Sequence, residues 1–200
     1  MSVGPPTRPS LIGRLRDRHD RAVWAEFVDI YGPVVFGFAR KRGLQDADAA
    51  DLTQEVLRSV AGAITRFEYA PARGGFRAWL FHITRNHLHS FQRRSLRAAR
   101  LTGLSSGAPS VALEDLPAEE DALEALWEQE WRRELFTRAC EHTRRLVEPS
   151  TWEAFHRTAV LGQSGQTVAA ELGLSVAAVY LARSRVLARL REFVRTAEGD

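Results

Sequence analysis

The sequence is short of several things, and each shortage excludes something. Its single cysteine, Cys140, permits no disulfide within the chain, which suits a reducing compartment. Lysine is nearly absent: of 28 cationic residues only Lys41 is lysine, so positive charge rests on arginine, the better fork for phosphates and guanine edges. No run approaches the ~18 apolar residues of a membrane span. The opening MSVGPPTRPS has no apolar core of signal-peptide length. The expectation is a soluble, cytoplasmic protein with no membrane partner. The most telling absence is local: from Tyr69 to Leu113 there is no Asp or Glu, against seven arginines.

With 44% hydrophobic residues, 200 residues are enough for one large or two small domains. The net charge of +3 hides a segregation. Residues 1–97 hold 16 basic and 9 acidic side chains, residues 98–130 hold 1 and 8, and residues 131–200 hold 11 and 8. Two positively biased modules joined by an acidic connector follow from that pattern.

The acid-free window contains FRAWLFHITRNHLHSFQRRSLR, Phe76 to Arg97. On a helical wheel Phe76, Trp79, Leu80, Ile83 and Phe91 form one apolar arc. Arg85, His89, His82, Arg93, Asn86 and Arg97 fill the opposite arc. A merely solvated face would mix signs to gain i,i+4 pairs. A face of arginine with His and Asn points to a polyanion, with nucleic acid ahead of acidic lipid.

Helix signals begin near Asp17 to Arg21 and continue through Trp24, Phe27, Val28, Tyr31, Val35 and Phe38, with a kink or break expected at Gly32-Pro33. A second helix opens on Asp46 or Asp48 as cap, with Ala49, Leu52, Val56, Val60 and Ile64 inward and Asp48, Asp51, Gln54 and Glu55 on an acidic and amide face. The loop Glu68 to Phe76 carries Tyr69 and Arg73, planes on which a single-stranded base can stack; the alternative is a turn whose aromatics tuck into the core.

After Arg97 the composition turns to Gly, Ser and Pro, and a flexible connector is expected over about 98–117. It reaches at most ~65 Å at ~3.3 Å per residue, more than a ~34 Å turn of DNA. Leu123, Leu126, Trp127, Trp131, Leu135 and Ala139 then mark a helix to about Leu146. Ser150-x-x-Glu153 reads as a capping box for another, with Trp152, Phe155 and Ala159 inward. In the last stretch a short helix, Thr167 to Leu172, meets Gly173 in a turn, and Ser175 caps a longer one with Val176, Val179, Val186, Leu190 and Phe193 inward, the pattern of a helix-turn-helix. Facing outward are Ala177, Ala178, Leu181, Ser184, Arg185 and Arg189, with Tyr180 at the border. An enzyme acting on nucleic acid should show a metal or nucleophile constellation. His82, His87 and His89 are the only cluster, but His82 and His89 share a face without nearby carboxylates, so the reading is a non-enzyme needing no cofactor or metal.

Three stretches, DADAADLTQEVLRSV (46–60), FRAWLFHITRNHLHSFQRR (76–94) and TVAAELGLSVAAVYLARSRVLARL (167–190), resemble the extracytoplasmic-function (ECF) group of sigma-70 transcription initiation factors. RPSLIGRLRD, FEYAPARGGFRAWLF and TWEAFHRTAV look more narrowly like planctomycete-type members. The resemblance implies an all-α fold: a leader over 1–17, a sigma region 2-like domain over 18–97, a linker over 98–117 and a region 4-like helix-turn-helix domain over 118–200. It implies that Asp48, Asp51, Leu52, Gln54 and Glu55, matching the family's D-x-x-D-L-x-Q-E pattern, dock on the clamp helices of the RNA polymerase largest subunit, with the polymerase flap as a further contact.

The resemblance also implies that Tyr69, Arg73 and Asn86 read a melted minus-ten strand, one base flipped out, while Arg77, Arg85, His89, Arg93 and Arg94 hold phosphates. The minus-thirty-five element would fall to Ser175, Ala178, Tyr180, Leu181, Ser184, Arg185 and Arg189. Here the pattern departs from the family's commoner one, which has more polar residues early in that helix; Ala177, Ala178 and Leu181 offer shape and methyl contacts. Promoter DNA and core polymerase are the implied partners, and an anti-sigma factor masking both domains is compatible with them. A stand-alone helix-turn-helix regulator is the alternative, and it leaves the acidic helix face without a role.

Overall fold

The computed structural model describes residues 9–17, 19–68, 75–101 and 117–198. Every regular element among them is helical: α1 (Pro9–Arg14), α2 (Arg21–Lys41), α3 (Asp46–Ala63) with a 3₁₀ turn Ile64–Arg66, α4 (Gly75–Leu101), α5 (Pro117–Leu146), α6 (Pro149–Phe155) with a π turn His156–Val160, α7 (Gly165–Leu172) and α8 (Val176–Glu198). The packing divides them into two compact units, Pro9–Arg132 and a second beginning at Arg133.

The first unit is built on aromatic edges. Phe76 of α4 meets Phe27 and Tyr31 of α2 with ring centroids at 5.9 and 5.2 Å, and Phe67 at 5.6 Å. These near-perpendicular pairs suit the ring quadrupoles. α3 adds Ala49, Leu52, Val56 and Val60, all buried, and α4 adds Leu80, Phe81 and Leu88. Asp20 caps α2 by accepting from the Val23 N–H at 3.1 Å. That bond, the hydrogen bond from Arg14 and the charge of that guanidinium hold the Asp20 carboxyl below its usual range.

α2 runs through Gly32-Pro33 as one helix, with Pro33 on its exposed side. Proline removes one rung of the ladder there, and the buried Tyr31, Val34 and Val35 on either side keep the helix docked. The N-cap of α3 is Gln45, without a side-chain bond, and Asp46 instead pairs with Arg40 at 2.6 Å. Within the expected leader, Leu11, Ile12 and Leu15 are core residues, and Arg16 donates to the Phe67 carbonyl at 2.9 Å. Of the expected linker, residues 102–116 lie outside the described residues; residues 98–101 belong to α4, and Pro117 begins α5.

The expected domain boundary at 117–118 does not coincide with the division at 132–133, and two tryptophans explain why. Trp127 lies edge-on to Phe38 at 5.6 Å and beside Phe81 at 5.8 Å. Trp131 stacks on Tyr31 at 5.6 Å and 23°. Both are 2% exposed. The first half of α5 is thereby part of the core of the unit that carries α4.

The second unit buries Leu135 and Ala139 of α5 with Phe155, Val186, Leu190, Phe193 and Ala197, and beside them Ala154, Val168, Ala169, Val179 and Ala182. α7 and α8 are bent by 104° across Gly173, which sits in the left-handed region at φ 65°. A Cβ there is disfavoured, which is why glycine makes this turn. Ser175 accepts from the Ala178 N–H at 3.1 Å and Ser164 caps α7 at the Thr167 N–H. The capping box at Ser150 is not formed: α6 begins at Pro149 with Glu148 as an N-cap that makes no side-chain bond. Val176 and Ala159, expected inward, are exposed.

Trp127→Ala is expected to cost about 3–5 kcal/mol of unfolding free energy, whereas Phe136→Ala, at an exposed position of the same helix, should stay within about 0.5 kcal/mol. Urea denaturation followed by circular dichroism measures both.

Candidate nucleic-acid interface and docking face

α3 and α4 pack with their apolar arcs inward, so the polar side of each is exposed by the same packing. On α3, Asp51 and Gln54 are exposed, Asp48 and Glu55 are half-buried, and Leu52 is 1% exposed. Leu52 therefore holds the helix in the core and offers no surface to a docking partner. Gln54 accepts from Arg58 at 3.1 Å.

Glu55 is the centre of a polar tie between the two helices. Arg94 of α4 reaches it at 3.2 Å, and His87 Nδ1 lies 3.3 Å from the same oxygen. The other ring nitrogen of His87 is 2.7 Å from Ser59 Oγ. Burial acts to raise the Glu55 carboxyl, but the hydrogen bond and charge of Arg94, with His87 added, outweigh it and hold the group below its ordinary value. The order Ser59, His87, Glu55 is that of a hydrolytic relay, yet the Ser59 amide lies mid-helix and is committed to the α3 ladder, so it cannot serve an oxyanion. The arrangement ties α3 to α4. Neither His87 nor Ser59 was among the expected site residues. The available signal was that His87 stands one turn from both Ile83 and Phe91, where an imidazole facing the apolar arc needs a partner.

On α4, Asn86, Arg93, Arg94 and Arg97 are exposed, and Arg93 donates to Ser90 Oγ at 3.5 Å. His89 is half-buried. Arg77 lies over the Trp131 ring at 5.2 Å from its centroid. Arg85 pairs with Glu120 at the start of α5, and its Nε is buried with no hydrogen-bond partner. The expected phosphate set is thus divided: Arg93 stands open to solvent, Arg94 is exposed but held by Glu55, and Arg77 and Arg85 are engaged by α5. Tyr69 and Arg73 lie outside the described residues.

In the second unit Tyr180, Leu181, Ser184, Arg185 and Arg189 are exposed on α8, and Ala178 is half-buried. The Tyr180 ring leans on Gly165, where a Cβ would lie 3.1 Å from it. The Ser175 hydroxyl is used as the helix cap. This face combines arginine with exposed apolar side chains, as the sequence led one to expect.

Residues 27–98 match the family model described as Sigma-70 region 2. The chain is matched there over α3, its tie to α4 and nearly all of α4. Over 77 residues it is 32% identical to the ECF RNA polymerase sigma factor RpoE of Cereibacter sphaeroides, a match over 38% of this chain and 41% of that protein. The chain thus matches less than half the length of that curated relative. Among solved structures it is similar to CnrH in complex with the cytosolic domain of CnrY, at 25% identity and TM-score 0.37 over 92% of this chain and 95% of the other. It is also similar to the sigma factor RpoE in complex with the anti-sigma factor NepR from Bartonella quintana, at 20% identity and TM-score 0.35 over 86% and 96%.

Arg94→Ala should move the Glu55 carboxyl up toward its ordinary range, since the larger of the two forces lowering it is removed. With a lowered carboxyl, the stability it lends is present above the ordinary carboxylate range and lost as pH falls through the lowered value. Carboxyl-carbon NMR titration tests this; a Glu55 titration unchanged by Arg94→Ala would mean that the ion pair is not held in solution.

Proposed function

We propose that this chain is an ECF-type sigma factor: a dissociable subunit that binds core RNA polymerase, directs it to promoter DNA and has no active site of its own. The observation that carries the reading is the pairing of two opposite faces within the segment matched to sigma-70 region 2. The acidic and amide side of α3, with Asp48, Asp51, Gln54 and Glu55, is suited to a basic surface such as the polymerase clamp helices. Across the tie at Glu55, the arginine and amide side of α4 is suited to DNA.

In this reading Arg93 and Arg94, with Arg77 and Arg85, neutralise backbone phosphates, and Asn86 reads an unstacked base of the minus-ten strand with Tyr69 and Arg73 as stacking planes. α8 enters the major groove at the minus-thirty-five element with Tyr180, Leu181, Ser184, Arg185 and Arg189 outward, and the second unit meets the polymerase flap. The protein acts in the cytoplasm, where its polymerase is. An anti-sigma factor is the natural regulator, in keeping with the solved complexes named above.

Retention of purified core polymerase on the immobilised chain tests the docking half. Wild type should retain core, and Asp51→Arg, at an exposed position, should abolish retention while leaving the helical spectrum unchanged; retention unaffected by it would contradict the reading. For the DNA half, Arg93→Ala in the assembled complex should weaken promoter binding alike on all sequences and lower the salt slope by about one. Asn86→Ala should alter base preference at the minus-ten element, and an unchanged preference would remove Asn86 from the readout.

A further inference from the structure

We propose that the first turns of α5 act as a built-in competitor for phosphate at Arg85, with Glu120 standing where a DNA phosphate would bind. The inference rests on the reading of α4 as a phosphate-binding face. Residues 114–130 carry eight acidic side chains and no basic one, directly after a window of 45 residues with no acid and seven arginines. Within the unit Pro9–Arg132 these two runs meet: the Glu120 carboxylate pairs with the Arg85 guanidinium.

The pairing is chemically incomplete. Glu120 accepts from Nη1 alone, and Arg85 Nε is left buried without an acceptor. A guanidinium binds oxyanions best through two parallel donors, and a phosphate offers enough oxygens to take both. A phosphate that replaced Glu120 would use the donor the carboxylate leaves unused. Glu120 itself is half exposed, so it returns to water at small cost when displaced.

The competitor stays close because α5 is anchored further along. Trp127 and Trp131 are 2% exposed in the aromatic core, and Trp131 also holds Arg77 beneath it. Glu120 lies two turns before Trp127, at the start of the helix, where fraying is cheapest. The first turns can therefore yield to DNA while the tryptophans remain seated. Free chain would bind single strands weakly, with Arg93 open, Arg94 held by Glu55 and Arg85 by Glu120, and it would bind fully where phosphates are presented at high local concentration, as on an assembled polymerase.

The test uses the full chain without polymerase and a fluorescein-labelled thymine-rich single-stranded oligonucleotide, with fluorescence anisotropy at several salt concentrations. Glu120→Gln should tighten binding by about two- to fivefold, the scale of one exposed ion pair, and steepen the salt slope by about 0.7, one more phosphate on a single strand. Glu124→Gln makes the same change of charge one turn on, at an exposed carboxylate, and should have the smaller effect. In an Arg85→Ala background the gain from Glu120→Gln should vanish. Equal gains from the two glutamine variants, or a gain that survives Arg85→Ala, would overturn the competitor. An unchanged affinity in Glu120→Gln while Arg93→Ala weakens binding would overturn the competitor alone and leave the DNA-binding reading standing. Binding that no variant alters, Arg93→Ala included, would contradict that reading as well.

Discussion

The first unit depends on the seating of Phe76 among Phe27, Tyr31 and Phe67. Those edge-to-face contacts fix the start of α4, and each fully buried ring or aliphatic side chain contributes about 1.5–3 kcal/mol. Leu80 and Leu88 continue the same buried line along the helix. Once that side is held, Arg93, Arg94 and Arg97 fall on the outer side, and Arg77 and Arg85 are met by α5. A run of five arginines without an acid between Phe76 and Arg97 would otherwise repel itself. The free energy that tolerates this concentration of charge comes from the aromatic core beneath it.

Two carboxylates meet that charge differently. Glu55, fixed on α3 and assisted by His87, takes Arg94 and thereby ties the helix with the acidic docking side to the helix with the basic side. A partner that drew on Glu55 would act on a residue that Arg94 also uses, so the acidic face and the basic face are physically adjacent. Glu120 comes instead from the helix that follows the acidic connector and sits at its beginning. The first is a structural link, and the second is placed where it can be exchanged.

Much of this was legible in the sequence because helix periodicity sorts residues by face. Phe76, Leu80, Val56, Val60, Val179, Val186 and Leu190 are inward as their spacing demands, and Gly173 turns where a left-handed residue was needed. Periodicity does not say against what a face is buried. Trp127 and Trp131 were recognisable as inward, but only the rings of Tyr31, Phe38 and Phe81 place them with α4. The same limit concealed the engagement of Arg77 and Arg85, which local composition marks as free cations. Leu52 matched a docking pattern and a core stripe at once, and burial settles it as core. Asp46 was a plausible cap, but Arg40 at 2.6 Å draws it into an ion pair. Leu11, Ile12 and Leu15 carry too little signal by themselves, because proline-rich surroundings outweigh three apolar residues in a short segment.

In the proposed function, two faces of one helical unit, one acidic and one basic, serve polymerase and promoter together. Run-off transcription with purified core polymerase, this chain and a library of promoter fragments measures that most directly. Transcripts should appear only when the folded chain is added, and they should share a sequence element a fixed distance upstream of their starts. Core polymerase giving the same transcripts with and without the folded chain would contradict that function.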